Sequence, residues 1–212
     1  MTPPKFSLPC SPKYKGFWND TRYTILTGGR GSGKSFFTGV FLLGLMDLEA
    51  GHTILFTRYT LRSANVSIIP EFKEKIELLN KGHKFKITKD EIVNLENGSK
   101  IIFRGIKTSS GDQTASLKSL QGITTWVMEE AEEIDEQSFD KIDLSVRQKS
   151  KQNRIILLLN PSTKEHFIYK RFYEDRSVQA GANFSKGDTT YIHTTYLDNI
   201  KNLSESYIAQ IE

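Results

Sequence analysis

The chain has 212 residues, 37% of them hydrophobic and 25% charged, with a formal net charge of +4. That length suits one sizeable domain and leaves little room for a second, and the basic balance fits a nucleic-acid partner without demonstrating one. One cysteine (Cys10) and four scattered histidines (His52, His83, His166, His193) exclude an internal disulfide framework and a cysteine-rich zinc site, and no apolar run approaches the roughly 18–20 residues that span a bilayer.

Residues 1–16 carry Pro3, Pro4, Pro9 and Pro12 and no apolar signal core, so they read as an extended, non-secretory N-terminal arm. Phe17, Trp18, Arg22 and Tyr23 follow, as core aromatics or as a border for a nucleotide base. Residues 23–27 form a β-branched, apolar run read as the first strand. It enters Gly28-Gly29-Arg30-Gly31-Ser32-Gly33-Lys34-Ser35, which matches G-x-x-x-x-G-K-[ST] in full. The glycines let backbone N–H groups crowd around phosphate oxygens that a Cβ would exclude. The helix predicted over 34–48 aims its positive end at the same anion. Lys34 is placed to reach the β- and γ-phosphates of ATP, and Ser35 to offer its hydroxyl to Mg2+. Arg30 reads either as a surface arginine near an anion or as a cis-acting cation for the γ-phosphate.

A second strand is expected over 53–57 and an amphipathic helix over 66–80. A β-rich insertion follows over 84–104, with a hairpin around Asn97-Gly98. Residues 105–120 are polar and read as a mobile loop; its Lys107 and Lys118, with Arg104 beside it, are candidates for a DNA backbone or a neighbouring subunit, or simply a solvated face. Residues 124–128 form a strand ending in Glu129-Glu130, the shape of a Walker B element. Glu129 would hold the metal and Glu130 would deprotonate water. The alternative is a solvated acidic turn, since acids continue through Glu136; Glu132 and the later ones are expected at the surface. A helix is predicted over 138–147. An apolar strand over 154–159 then stops at Asn160-Pro161, where Asn160 reads as a γ-phosphate sensor or as a turn residue. A helix over 164–174, a strand over 190–195 and a helix start at 204–211 complete the pattern. Strands alternating with helices imply a mostly parallel sheet flanked by helices.

Residues 28–35, 105–122, 126–132 and 159–161, in that order, together with 193–199, resemble the N-terminal ATPase domain of phage large terminases, of the PBSX-like branch. The resemblance covers most of residues 22–200. It implies an ASCE-type P-loop NTPase fold over 17–200. Residues 201–212 would begin a linker toward a nuclease domain, of which nothing is visible here, so no DNA cleavage is expected. It implies ATP hydrolysis with Mg2+, driving double-stranded DNA into a procapsid. Glu129 and Glu130 would be the Walker B acid and the catalytic carboxylate, Arg30 the arginine of the Walker A loop, and Asn160-Pro161 part of the coupling motif. Portal protein and small terminase are the implied partners; the chain itself would form a homo-oligomeric ring when assembled, or a monomer in isolation, in the host cytoplasm. The rival expectation is a helicase- or translocase-type ATPase outside packaging.

Overall fold

Arg154–Leu159 is buried at every position, which a strand can be only when both faces of its sheet are covered. Its side chains divide accordingly. Ile156 and Leu158 enter one core with Phe37, Phe41 and Phe72, while Ile155, Leu157 and Leu159 enter a second with Phe139, Ile142 and Phe172. The period of two along a strand produces this split, and each large apolar side chain so buried contributes roughly 1.5–3 kcal/mol.

The computed structural model describes residues 10–60, 68–108, 111–112, 121–160 and 164–211. In chain order the elements are β1 (Tyr23–Gly28), α1 (Lys34–Leu48), β2 (Thr53–Thr60), α2 (Ile69–Leu78), β3 (Phe85–Ile87), β4 (Glu91–Asn94), β5 (Lys100–Thr108), β6 (Gly111–Asp112), β7 (Thr125–Met128), α3 (Glu136–Asp143), β8 (Arg154–Leu159), α4 (Phe167–Tyr169), β9 (Ser185–Lys186), β10 (Thr189–Thr194) and α5 (Glu205–Ile211). One sheet runs β3-β4-β5-β2-β7-β8-β1-β10-β9, with β6 paired to β5. The six central strands from β5 to β10 are parallel; the edges are antiparallel. Residues of α1 and α2 pack on one face, residues of α3 and α4 on the other. Strand β8 lies between β1 and β7, the intercalation expected of the ASCE-type P-loop fold. The hairpin insertion is present as β3, β4 and the start of β5. No helix of the described residues is long and apolar enough to cross a membrane.

Four local expectations change. Residues 12–18 form a 3₁₀ helix where the expected arm of 1–16 meets the domain, because Tyr14 and Phe17 are buried and Phe17 stacks on Phe41 at 5.0 Å; residues 1–9 of that arm lie outside the described residues. The loop expected from 105 begins later: Ile106 is buried and β5 runs on to Thr108 before turning into β6. Residues 109–110 and 113–120, with the candidate Lys118, lie outside the described residues. Helix α3 stops at Asp143 instead of 147, where the Arg22 guanidinium takes the carbonyls of Asp143 at 3.0 Å and Val146 at 3.2 Å. The helix expected over 164–174 starts at Phe167, after the His166 ring accepts from the Ile168 N–H, and continues as a π-helical segment, Lys170–Glu174.

Candidate active site

Parallel strands deliver their carboxyl ends to one edge, where open α/β sheets bind ligands. Here the ends of β1, β2, β7 and β8 surround a cleft of about 520 Å³. It is lined by residues 29–35 and by Arg58, Glu129, Glu130 and Asn160, with Glu71, Glu74 and Lys75 of α2 on the far wall. All the sequence-predicted site residues therefore converge; Gly28 lies beneath the cleft as the last residue of β1.

The loop is shaped by what glycine permits. A Cβ on Gly28 would come within 2.3 Å of the Thr194 carbonyl oxygen, so only glycine lets β1 end this close to β10. Gly33 (φ 86°) begins α1 with no side chain capping it. The first-turn N–H groups of a helix have no intrahelical partner, so they stand ready for an anion. Lys34 folds back across the loop, donating to the Gly28 carbonyl, to the Gly29 carbonyl at 3.1 Å and to Asn160 Oδ1 at 3.3 Å. Burial lowers its pKa, opposed by the nearby Glu132 and Glu129 carboxylates. Arg30 is exposed on the rim.

Glu129 continues the β7 ladder, its N–H donating to the Thr57 carbonyl at 2.9 Å. Its buried carboxylate accepts from the Ser35 hydroxyl on one oxygen and from Arg58 Nε at 2.6 Å on the other. Two hard oxygens side by side fit Mg2+, which takes one or two protein oxygens and fills its shell with water and substrate phosphates. Among the described residues no cluster of three or more His, Cys, Asp or Glu could form a separate metal cage.

Glu130 turns out of the strand in the left-handed region (φ 57°, ψ 46°), a conformation that costs a non-glycine residue about 1 kcal/mol and concentrates at functional sites. Partial burial raises its carboxyl pKa; Arg58 opposes this, and Glu133, Glu129 and Glu132 add to it. Asn160 directly follows β8, between Lys34 and Glu132. Its side-chain amide donates to Glu132 Oε1 at 2.9 Å while its oxygen accepts from Lys34.

Several participants escaped the sequence reading, Arg58 and Glu132 among them. Arg58 is the cation at the carboxyl end of β2, and that position was its only signal. Glu132, expected at the surface, is instead half-buried and bonded to Asn160. Phe17, Trp18, Arg22 and Tyr23 do not border the cleft. Phe17 and Trp18 pack on Phe41. Arg22 and Tyr23 bind Asp143 at the amino end of β1, about 17 Å of strand from the P-loop. Arg104 pairs with Asp90 of the hairpin insertion at 3.0 Å.

The sequence profile of the phage terminase large subunit family matches residues 20–212. The chain is 29% identical over 206 residues to the PBSX phage terminase large subunit of Bacillus subtilis, covering 92% of this chain and 46% of that protein. It is 28% identical over 200 residues to the terminase large subunit of Bacillus phage SPP1, covering 89% and 44%. It thus spans about half the length of both relatives. Among solved structures, the large terminase of a thermophilic bacteriophage superimposes with a TM-score of 0.75 at 14% identity, covering 96% of this chain and 50% of that one. That terminase has also been solved with ADP and with ATP-gamma-S.

Proposed function

Because the chain belongs to the phage terminase large subunit family, we propose that it is the ATP-hydrolysing half of such a subunit, the motor that drives double-stranded DNA into a procapsid. One observation supports this above the others: Lys34, Asn160 and the Ser35–Glu129 pair meet in one cleft, beside Glu130. The nucleotide complexes of the thermophilic phage's terminase support ATP as the ligand.

The residues divide the chemistry between them. Backbone N–H groups of the P-loop and the start of α1 bind the β- and γ-phosphates. Lys34 exchanges its carbonyl partners for phosphate oxygens. Ser35 and Glu129 hold Mg2+, which when bound offsets phosphate charge. Glu130 takes a proton from a water as its oxygen bonds to the γ-phosphorus and the bond from phosphorus to the ADP oxygen breaks. Asn160 orients that water or senses the γ-phosphate, and Arg30 offsets charge at the rim. Portal protein, small terminase, a homo-oligomeric ring and the host cytoplasm belong to the same reading. So does the division into an ATPase unit over 17–200 and a linker from 201.

The test is phosphate release by the wild type and Glu130→Gln, with and without double-stranded DNA and portal or procapsid. Slow basal release, stimulation by DNA and loss in Glu130→Gln are expected. Transfer of phosphate to a small acceptor, or no single-turnover hydrolysis with DNA present, would remove the motor reading. Strand separation of a duplex would move it to a helicase-type role.

A further inference from the structure

A glycine-rich loop can curl around phosphate, but its freedom also lets it collapse when no anion is present. Two side chains from outside the loop oppose that collapse. The buried Tyr14 hydroxyl donates to the Ser32 carbonyl at 2.7 Å, with Thr194 Oγ1 3.3 Å away. The Asn199 amide donates to the Gly31 carbonyl at 2.9 Å. A trans peptide carries its C=O and N–H on opposite sides. Pinning these two consecutive carbonyls therefore turns the N–H groups of Ser32 and Gly33 away from the pins; the Ser32 N–H meets the Gly29 carbonyl at a long 3.4 Å.

The pins come from opposite ends of the chain: Tyr14 from the 3₁₀ helix Pro12–Trp18, Asn199 from the 3₁₀ helix Tyr196–Asn202. They are joined to each other. Ser11 and Lys13 donate to the Asp198 carboxylate at 3.2 and 2.9 Å, and the Thr195 N–H donates to it at 2.9 Å. Beyond this turn Tyr207 lies against the loop, close enough that a Cβ on Gly31 (φ 76°) would sit 2.7 Å from its ring. Burial keeps the Tyr14 phenol above its ordinary pKa, so it remains a donor.

We propose that Tyr14 and Asn199 are positioning residues that hold the P-loop in its phosphate-accepting shape before nucleotide arrives, and that occupancy of the loop is transmitted through them to residues 195–207. Preorganisation reduces the ordering cost of binding. Linkage makes the effect reciprocal: whatever the pins add to phosphate affinity, bound phosphate adds to the pins. The proposal rests on the nucleotide reading of the P-loop.

The experiment measures binding of a fluorescent ADP with Mg2+ to the wild type, Tyr14→Phe and Asn199→Ala, together with steady-state ATPase kinetics and amide exchange. Each substitution removes one neutral hydrogen bond to the P-loop, so each raises the Kd for ADP about three- to tenfold. KM rises in parallel while kcat stays within about twofold, the signature of lost uniform binding. ADP slows exchange over 195–207 in the wild type and less so in Asn199→Ala. Folded variants with unchanged Kd, or no nucleotide-dependent protection of 195–207 in the wild type, would overturn the proposal while leaving the P-loop reading intact. A wild type that binds no ADP would remove both.

Discussion

At the amino ends of β2, β5, β7 and β8 the polar side chains close on one another, whereas at the carboxyl ends of β1, β2, β7 and β8 they line an open cleft. The amino-end set is centred on His52. Its ring bridges Thr124 at 3.0 Å and Glu49 at 3.1 Å, its backbone N–H donates to Ser99 Oγ at 3.1 Å, and Lys151 reaches Glu49 at 3.2 Å. Ser99 Oγ in turn donates to the Glu49 carbonyl at 2.9 Å, and the Asn94 and Asn97 amides donate to the Met46 carbonyl at the end of α1. These bonds tie strand starts to a helix end and leave little to offer a ligand. The carboxyl-end set is different in kind. Lys34 bonds backbone carbonyls it can release, Glu130 holds a left-handed backbone, and acids crowd one another. At one end of the sheet polar groups are largely paired with one another; at the other, acids crowd around an open cleft.

Substitutions at the two ends should have opposite consequences. The largest effect is expected from Glu130→Gln, which should slow phosphate release by about 10²- to 10⁴-fold with nucleotide binding retained; it should leave Tm unchanged or raised, since it removes an acid from a crowded cluster. Equal turnover in the variant would place the base elsewhere. Lys34→Ala should come next. Nucleotide affinity should fall by about 100-fold or more, because a charge-assisted contact to phosphate is lost. In a thermal-shift assay ADP should no longer raise Tm, while the ligand-free Tm changes little.

At the other end the order reverses. His52→Ala should cost about 1–3 kcal/mol by urea denaturation, because buried partners lose their hydrogen bonds. The Kd for ADP should stay at the wild-type value; a large loss of affinity would mean that the two ends are not independent. The smallest effect is one of pH. Burial depresses the His52 pKa from its ordinary 6.5; Glu49 opposes this, and Lys151 and Arg154 reinforce it. Between the depressed value and 6.5 the unfolded chain binds more protons than the folded one, so this contribution to stability rises with pH and is lost as pH falls below about 6.5. Tm measured from about pH 7.5 to 5.5 should therefore fall more steeply in the wild type than in His52→Gln. Parallel curves would assign the acid sensitivity to other groups.

The contiguous parts of the site were legible from residues alone. A P-loop works through consecutive backbone N–H groups, so its chemistry is written in consecutive residues, and α1 spans Lys34–Leu48 as its wide apolar face predicts. Glu129-Glu130 and Asn160 could be placed because each ends an apolar strand, and strand polarity is itself a sequence pattern. The place of β8 between β1 and β7 followed from the family resemblance and not from any local pattern, and tertiary structure alone decided that Asn160 there meets both Lys34 and Glu132. It alone brought Arg58 to Glu129, and Tyr14 and Asn199 to the P-loop. The physical reason is that strand order follows from which apolar faces pack together across helical crossovers. No local propensity or periodicity records that choice, so contacts between residues far apart in the chain appear only once the sheet is assembled.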